Sequence, residues 1–264
     1  MWSGVELRRD PSAQRAGLLR SGLIHPFALA IVLTWACSAA RAANVLAPFA
    51  SAPGDGSPTA PWTIERVPDQ RFAETAFRVV EVDGRQALRI DAKASYGNLV
   101  QRLQPTPRTG TLSWQWRVDE LNRVADLRTR QADDTSAKVC VLFDMAIDRV
   151  PFVERQILRI ARSRTGLALP AASICYVWDA TLAAGTRIDN AYSRRVRYLV
   201  LRSGPVPERR WHTERRDLAA DFTALFGDES PDRVPPIQAI AVGADADNTG
   251  GASLAFVANL SLEP

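Results

Sequence analysis

Histidine is nearly absent from this sequence of 264 residues. Only one of its two histidines, His212, lies outside the N-terminal segment, and it stands close to Glu214 and Arg215. Catalysis by a Ser-His-Asp or Cys-His arrangement needs a histidine as base. A single histidine among charged neighbours is more typical of a surface position. Together with the lack of any Gly-x-Ser-x-Gly or His-Glu-x-x-His sequence, this shortage argues against those hydrolase classes.

Cysteine is scarce as well. There are three cysteines and no Cys-x-x-Cys pair, which argues against a zinc site. Cys140 and Cys175 are the two that lie outside the N-terminal segment. An oxidising compartment would allow them to form a disulfide, whereas a reducing one would leave two buried thiols. The sequence leaves both states open.

The chain also lacks a convincing membrane span, because its apolar run at residues 23–36 is too short. A small-residue sequence, Ala-Ala-Arg-Ala, follows at residues 39–42. The run is preceded by the basic residues Arg8, Arg9, Arg15 and Arg20. This order predicts a signal peptide over residues 1–42 and a periplasmic or secreted mature protein with no transmembrane segment. The alternative is a lipoprotein signal at Cys37, which Trp35 disfavours.

A large excess of positive charge is missing once the signal peptide is removed. The whole chain has a formal net charge of +4, but residues 1–42 contain five arginines and two acidic residues, so the remainder has a net charge of +1. A nucleic-acid-binding domain would be expected to have a basic surplus. The sequence therefore predicts no nucleic-acid partner.

Alternation of apolar and polar residues predicts many β-strands. Trp114 and Trp116 alternate with polar residues, which places both on one buried face. Asp83 and Gly84 separate two β-prone runs and predict a tight hairpin turn. Residues 43–62 are rich in Pro, Gly and Ala, which is typical of a linker or of an irregular first strand.

Two segments change to helical spacing. The first covers residues 150–164 and has apolar residues at Val150, Val153, Ile157 and Ile160. Packing of this face on a sheet is the favoured interpretation, and contact with a membrane surface is the alternative. The second helix has a shared apolar face formed by Leu218, Phe222, Leu225 and Phe226. We therefore expect residues 63–264 to form a single all-β domain, an antiparallel β-sandwich of jelly-roll type with two short helical insertions.

The sequence Gly-Ala-Asp-Ala-Asp-Asn-Thr-Gly-Gly, at residues 243–251, places Asp245, Asp247 and Asn248 between two strands. These residues resemble the start of an EF-hand loop. Phe256 stands where that loop needs its twelfth-position acid, so an EF-hand is excluded. A calcium ion held with the help of distant acids, a ligand-contacting loop and a turn shaped by Asx hydrogen bonds and glycines remain as alternatives.

Acidic and aromatic side chains supply the remaining candidates for a functional site. Paired carboxylates could hydrolyse a glycosidic bond, and exposed aromatic rings could stack on sugars. The aromatic candidates are Trp62, Tyr96, Trp178, Tyr192 and Trp211. The ligand-binding candidates are Asp133, Asp134, Trp178, Asp179, Tyr192, Asp245, Asp247 and Asn248. The sequence identifies no catalytic residue.

Several stretches resemble a family of secreted bacterial proteins without an assigned function, DUF3047. The matching segments include "DLRTRQADDTSAKVCVLFD" from residue 126, "SICYVWD" from residue 173, "WHTERRDLAADFTALFG" from residue 211 and "DADNTGG" from residue 245. The resemblance implies an envelope β-sandwich similar to the jelly-roll folds of carbohydrate-binding modules. Asn259 departs from the family pattern, which has Asp there, and this makes a structural calcium less certain.

We expect a non-catalytic binding module for a carbohydrate or another envelope component, with no cofactor other than the calcium left open above. Two alternatives remain. One is a carboxylate-dependent, glycosidase-like hydrolase. The other is a structural partner in an envelope assembly that docks through the helix at residues 150–164, which requires an exposed apolar face on that helix. The sequence does not determine the oligomeric state.

Overall fold

The computed structural model of this chain describes residues 44–66, 70–104, 106–205 and 209–264. The signal peptide predicted at residues 1–42 lies outside the described residues. None of the helices in the described part is long and apolar enough to cross a membrane.

Strands form most of the regular structure in these segments. In chain order they are β1 (Thr63–Glu65), β2 (Ala73–Glu74), β3 (Ala76–Val82), β4 (Arg85–Lys93), β5 (Ser95–Tyr96), β6 (Asn98–Arg102), β7 (Thr111–Glu120), β8 (Ala137–Phe143), β9 (Ala172–Asp179), β10 (Arg187–Asp189), β11 (Val196–Ser203), β12 (His212–Asp217), β13 (Ile237–Gly243) and β14 (Ala252–Glu263). A short 3-10 helix (Ile147–Arg149) and the helices α1 (Phe152–Thr165) and α2 (Leu218–Phe226) interrupt them.

The strands form a β-sandwich. One sheet has the order β1-β6-β13-β8-β9-β11-β10, the other has the order β12-β7-β14-β4-β3, and β2 pairs with β5 alone. Most neighbouring strands are antiparallel, as the sequence predicts. The pair β9 and β11 is parallel, and so is the pair β2 and β5. A parallel pair needs a crossover connection, which the chain between β9 and β11, including β10, provides.

Aromatic side chains from both sheets fill the space between them. Trp114 and Trp116 of β7 lie on the same face, as the alternation predicts, and both are fully buried. The ring centre of Trp114 lies 5.3 Å from that of Tyr176, and the ring centre of Trp116 lies 5.6 Å from that of Trp178. Tyr176 and Trp178 belong to β9 in the opposite sheet. These contacts join the two sheets at the centre of the hydrophobic core.

The hairpin predicted at Asp83 and Gly84 joins β3 to β4. Both residues have positive φ, 52° for Asp83 and 69° for Gly84, and Val82 pairs with Arg85 across the turn. A two-residue turn of this hand matches the twist of the flanking strands. The sequence prediction of the hairpin is confirmed.

The two helices differ in how well the sequence predicts their packing. In α2 the predicted apolar residues are buried, and Asp217 caps the helix by accepting hydrogen bonds from two backbone N–H groups. In α1 the favoured packing interpretation is wrong for three of its four residues, since only Val150, which precedes the helix, is buried. Val153, Ile157 and Ile160 are exposed, and the buried side chain is Leu158 on another face.

Residues 44–62 are irregular but packed. Leu46, Phe49 and Trp62 are each at most 5% exposed and belong to the main core. The backbone N–H of Val45 donates a hydrogen bond to the carbonyl of Leu262 in β14. This stretch therefore lies against the sandwich, and it does not have the exposure expected of a free linker.

Candidate functional site

Loops that are distant in sequence meet at one end of the sandwich. Residue pairing between β13 and β8 places Gly243 opposite Lys138, and pairing between β14 and β7 places Leu254 opposite Glu120. The connection 244–251 therefore lies beside the connection 121–136. Hydrogen bonds between Thr135 and Asp245 and between Asn248 and Asp134 join the two connections. We call the group of Asp133, Asp134, Lys138, Asp245 and Asp247 the acidic site.

Asp245 is held at the base of the acidic site. Its Oδ1 accepts a hydrogen bond from the backbone N–H of Thr135 at 2.6 Å, and its Oδ2 accepts one from Nζ of Lys138 at 2.6 Å. Both side chains are buried. Burial alone would lower the pKa of Lys138, but the negative charge of Asp245 raises it above its ordinary value. The lysine is therefore a buried cation paired with a buried carboxylate.

Asp134 fixes the conformation of the connection 244–251. One of its carboxylate oxygens accepts from the backbone N–H of Asn248 at 3.1 Å, and the other accepts from the backbone N–H of Thr249 at 2.9 Å. The side chain of Asn122 also donates to it at 3.4 Å. Asp134 belongs to one connection and accepts hydrogen bonds from the other, so its side chain acts as a structural clamp between the two.

Asp133 is a buried acid with one carboxylate oxygen that lacks a hydrogen-bond partner among the described residues. It is only 4% exposed, and its Oδ2 accepts a hydrogen bond from the side-chain amide of Asn190. Its Oδ1 is buried and has no hydrogen-bond partner among the described residues. Burial raises the pKa of Asp133 to about 7, and the charge of Asp245 acts in the same direction. Lys138 and hydrogen bonds with Asn190 and Tyr198 oppose both effects. Near neutral pH this carboxyl group is therefore partly protonated.

Asp247 has a similar environment on the other side of Asp245. Its Oδ1 is buried without a hydrogen-bond partner among the described residues. Burial raises the pKa of Asp247 to about 6, and the negative charges of Asp245 and Asp134 add to the effect. The site thus contains two buried carboxylate oxygens that can still accept a hydrogen bond.

Tyr192 places an exposed aromatic ring beside these acids. Its side chain is 55% exposed, and its hydroxyl donates to Oδ1 of Asn248 at 2.7 Å or to the carbonyl of Arg130 at 2.8 Å. Burial raises the pKa of Tyr192, followed by the charges of Asp133 and Asp247. The ring is therefore electrostatically part of the acidic site.

A cavity lies near Asn190, but none of the acidic-site residues lines it. Its volume is about 580 Å³, and Asp189 and Ala191, the two neighbours of Asn190, line it together with Leu127 and Arg128. The side-chain amide of Asn190 donates to both Asp133 and, at 2.9 Å, the hydroxyl oxygen of Tyr198. The cavity is therefore not part of the acidic site.

The calcium ion considered from the sequence does not fit the observed donors. Lys138 occupies Oδ2 of Asp245, where a cation would have to bind, and Asn248 uses its side-chain oxygen to accept from Tyr192. Among the described residues, no group of three or more His, Cys, Asp and Glu side chains is arranged to hold a metal ion. Asp245 and Asn248 are therefore engaged in contacts within the protein, whereas Oδ1 of Asp247 has no hydrogen-bond partner among the described residues.

Trp178 and Asp179, also predicted as ligand contacts, do not join the acidic site. Trp178 is 1% exposed, lies in the core and donates through Nε1 to the carbonyl of Gly204. Asp179 is buried at the end of β9 and accepts from the backbone N–H groups of Thr181 and Leu182. Both side chains therefore have structural contacts.

The other residues considered from the sequence have different surroundings. His212 is half-buried, and its ring centre lies 5.2 Å from that of Trp178. Burial lowers the pKa of His212, and the nearby arginines Arg202 and Arg210 add to this effect. Trp62 is buried in the core, and Trp211 is half-buried. Tyr96 is also half-buried, but its ring centre lies 5.3 Å from Nζ of Lys138, so it borders the acidic site. Among the described residues, His212 makes no hydrogen bond or ion pair with a carboxylate of the acidic site.

Cys140 and Cys175 face one another in the antiparallel pair of β8 and β9. Their sulfur atoms are bonded at 2.04 Å and their Cα atoms are 4.0 Å apart. The disulfide lies on the outer face of the seven-stranded sheet, in the same cluster as Val177 and Tyr198. Of the two states that the sequence left open, the structure has the disulfide.

Sequence reasoning missed four members of the site's hydrogen-bond network: Lys138, Thr135, Asn190 and Tyr198. Of the four, only Lys138 has sequence features that indicate a place in the site. It is one of two lysines in the chain and stands inside an apolar strand. A lysine in such a position is rarely buried unless it is paired with an acid. The partners of the other three depend on loop packing.

Comparisons with known proteins identify a family but no activity. The sequence matches the family described as "Protein of unknown function (DUF3047)" over residues 60–261. No curated protein matches it.

Several solved glycanase structures share weak similarity with this chain. The xyloglucanase domain of NopAA, a type three effector from Sinorhizobium fredii in complex with cellobiose, is 10% identical, with a TM-score of 0.38 and coverage of 77% of this chain and 97% of that chain. The endo-1,4-β-glucanase CelB2 is 12% identical, with a TM-score of 0.39 and coverage of 84% and 99%. A family 12 xyloglucanase from Bacillus licheniformis is 10% identical, with a TM-score of 0.33 and coverage of 77% and 86%. Similarity at this level transfers neither a site nor an activity.

Proposed function

This chain belongs to the DUF3047 family, whose description names no activity, and we propose from its own geometry that it is a binding protein that holds a carbohydrate at the acidic site without cleaving it. One observation carries the proposal. Two buried carboxylate oxygens, Oδ1 of Asp133 and Oδ1 of Asp247, have no hydrogen-bond partner among the described residues, and the exposed ring of Tyr192 lies beside them.

Hydroxyl groups suit these oxygens better than a cation does. A buried acceptor without a partner costs about 1–3 kcal/mol, which a ligand hydroxyl can recover by donating to it. Since the pKa of Asp133 is about 7, this group is partly protonated and can also donate. A hydroxyl can donate or accept and therefore matches either state. Lys138 already supplies the positive charge that a metal ion would bring.

The surroundings of the acids fit a sugar ring in chemical character. An exposed tyrosine ring can stack on the apolar face of a sugar. Arg130, whose guanidinium carbon lies 5.5 Å from the ring centre of Tyr192, can add a hydrogen bond to a ring hydroxyl.

Export to the periplasm or beyond is part of the proposal. It rests on the basic, apolar and small-residue order of residues 1–42. The disulfide between Cys140 and Cys175 supports it, because such bonds persist in oxidising compartments. The jelly-roll connectivity expected from the sequence also remains a proposal. Another hydroxyl-rich envelope component is the alternative ligand.

The test is thermal unfolding of the protein with cello-, xylo-, manno- and chito-oligosaccharides, followed by calorimetric titration of any that stabilise it. A ligand at about 100 times its dissociation constant should add roughly 2.7 kcal/mol to the free energy of unfolding. Asp133→Asn and Tyr192→Ala should each weaken binding by about tenfold or more. Asp144→Asn, at an exposed acid on the far end of β8, is the matched control. If all variants bound the oligosaccharide with equal affinity, the acidic site would be excluded as the binding site.

Hydrolysis is the second candidate, and the raised pKa values favour it. A glycosidase needs a carboxylic acid that stays protonated near neutral pH, and Asp133 and Asp247 have pKa values of about 7 and about 6. Burial of Asp133 limits the access of a glycosidic oxygen and of a ligand hydroxyl alike, so it does not separate the two candidates. Release of reducing sugar from any of the same oligosaccharides, lost in Asp133→Asn while binding persists, would establish hydrolysis instead of binding alone.

A further inference from the structure

Helix α1 presents an apolar face to solvent. Four large apolar side chains on it are more than half exposed: Phe152 at 68%, Val153 at 67%, Ile157 at 61% and Ile160 at 53%. Val153, Ile157 and Ile160 are spaced four and three residues apart, which places them in one stripe along the helix. A contiguous apolar surface of this kind is unusual on a protein that contacts only water.

The opposite side of α1 is firmly attached to the sandwich. Leu158 is buried in the main core. Arg195 pairs with Glu154, and Nε of Arg162 donates to the carbonyl of Leu169 at 2.8 Å. The apolar stripe therefore faces outward because of specific contacts on the other side of the helix. It is available to a partner without rearrangement of the fold.

The charges beside the stripe are positive. Arg159 and Arg164 are exposed and have no ion-pair partner among the described residues, and Arg164 continues the line of Val153, Ile157 and Ile160. Glu154 is the only acid in α1, and Arg194 and Arg195 neutralise it. The exposed side of the helix therefore combines apolar side chains with unpaired arginines.

We propose that α1 lies on the surface of an anionic lipid bilayer, with its apolar stripe among the acyl chains and its free arginines at the phosphate groups. An amphipathic helix with arginines at the edge of its apolar face is the sequence type that binds in this position. The helix has 14 residues, about 21 Å, and lies flat because its other side is packed on the protein. The unpaired arginines complement lipid phosphates, and this charge match selects a bilayer over an uncharged protein surface. The inference is independent of the carbohydrate site.

The test uses the full chain and flotation with lipid vesicles. Vesicles of phosphatidylcholine with phosphatidylglycerol should carry the protein, and pure phosphatidylcholine vesicles should carry much less. The triple variant Val153→Ser, Ile157→Ser and Ile160→Ser should partition at least about tenfold less, because it loses the apolar contact. Arg159→Gln and Arg164→Gln should each reduce partitioning about fivefold, and only on anionic vesicles.

Val124→Ser is the matched control, because Val124 is 65% exposed but lies outside α1. It should bind vesicles like the parent chain. All the substituted side chains are exposed, so thermal unfolding should remain close to that of the parent. Every variant keeps residues 1–42. Partitioning is compared at a lipid concentration that leaves part of the parent chain unbound, so that binding through the N-terminal segment does not hide a difference. Equal partitioning of the parent and the triple variant under this condition would overturn the proposal. A triple variant that changed only the oligomeric state in sedimentation would indicate a second copy as the partner and would also overturn it.

Discussion

Lys138 donates a hydrogen bond from Nζ to Oδ2 of Asp245 at 2.6 Å, and both side chains are at least 90% buried. The two residues are 107 positions apart in the sequence. Their pairing attaches the connection 244–251 to β8 and brings the remaining acids around one buried cation. The acidic site depends on this contact.

Replacement of Lys138 by Met should destabilise the protein strongly, because it leaves the carboxylate of Asp245 buried without its cation. The expected loss is about 3–5 kcal/mol of unfolding free energy, or about 10 °C in the thermal midpoint for a chain of this size. The double variant Lys138→Met with Asp245→Asn should lose less than the sum of the two single variants. Additive losses in chemical denaturation would contradict the pairing.

The stability of the protein should depend on pH through Asp133. Its pKa is raised in the folded state from 3.8 to about 7, so folding favours its protonated form. The contribution of this group to the free energy of unfolding is fully present below about pH 4 and is lost as the pH rises through about 7. The loss for one such group is at most about 1.4 kcal/mol per pH unit.

Urea unfolding of the wild type and of Asp133→Asn across this range measures the effect. The asparagine variant should gain stability relative to the wild type as the pH increases, since it has no charge to bury. Asp247→Asn should also gain stability relative to the wild type as the pH increases, but over a lower pH range, because the pKa of Asp247 is about 6. Asp144→Asn, with its exposed side chain, should follow the wild type. A difference that stayed constant with pH would show that Asp133 titrates normally.

Replacement of Asp134 by Ala should loosen the connection 244–251. The backbone N–H groups of Asn248 and Thr249 would lose their acceptor, at a cost of about 1–3 kcal/mol. Hydrogen exchange of these two amides should accelerate about tenfold or more. Amides of the β3–β4 hairpin, which does not contact Asp134, should exchange as before. Unchanged protection of both loop amides would mean that Asp134 is not their clamp.

Removal of the disulfide should lower stability without changing the fold. The bond closes a loop with a sequence separation of 35, for which chain entropy gives about 2–4 kcal/mol. Cys140→Ala with Cys175→Ala should lose this amount in urea unfolding. In denaturant without reductant, alkylation of the full chain should label Cys37 alone. Labelling of all three cysteines would contradict the bond.

Local sequence patterns identified the elements that depend on near neighbours. The positive φ values of Asp83 and Gly84 are a property of a two-residue turn, so the hairpin could be predicted from two residues. The alternation around Trp114 and the spacing of Leu218, Phe222 and Phe226 gave a strand and a helix whose buried faces are the predicted ones. The parallel pairing of β9 and β11 has no local signal, because strand order depends on long-range contacts.

The orientation of α1 was the main error in the predicted fold. The spacing of Val153, Ile157 and Ile160 predicts a stripe packed in the interior, because burial of these side chains is favourable. In the structure the ion pair of Glu154 with Arg195 and the burial of Leu158 hold the other side of the helix inward. Periodicity indicates that a helix has two faces, but it does not identify what covers each one.

The sequence by itself determined the strand-rich architecture, the second helix and the residue types available for a site, since these follow from side-chain spacing and backbone preferences. Only the tertiary structure decided which acids meet. It brought Asp133 and Asp134 beside Asp245 and Asp247 and placed Lys138 among them, while Trp178 and Asp179 took structural positions. The reason is physical. Buried charges are stabilised by partners in space, and those partners lie on connections more than 100 residues apart that only the pairing of the strands brings together.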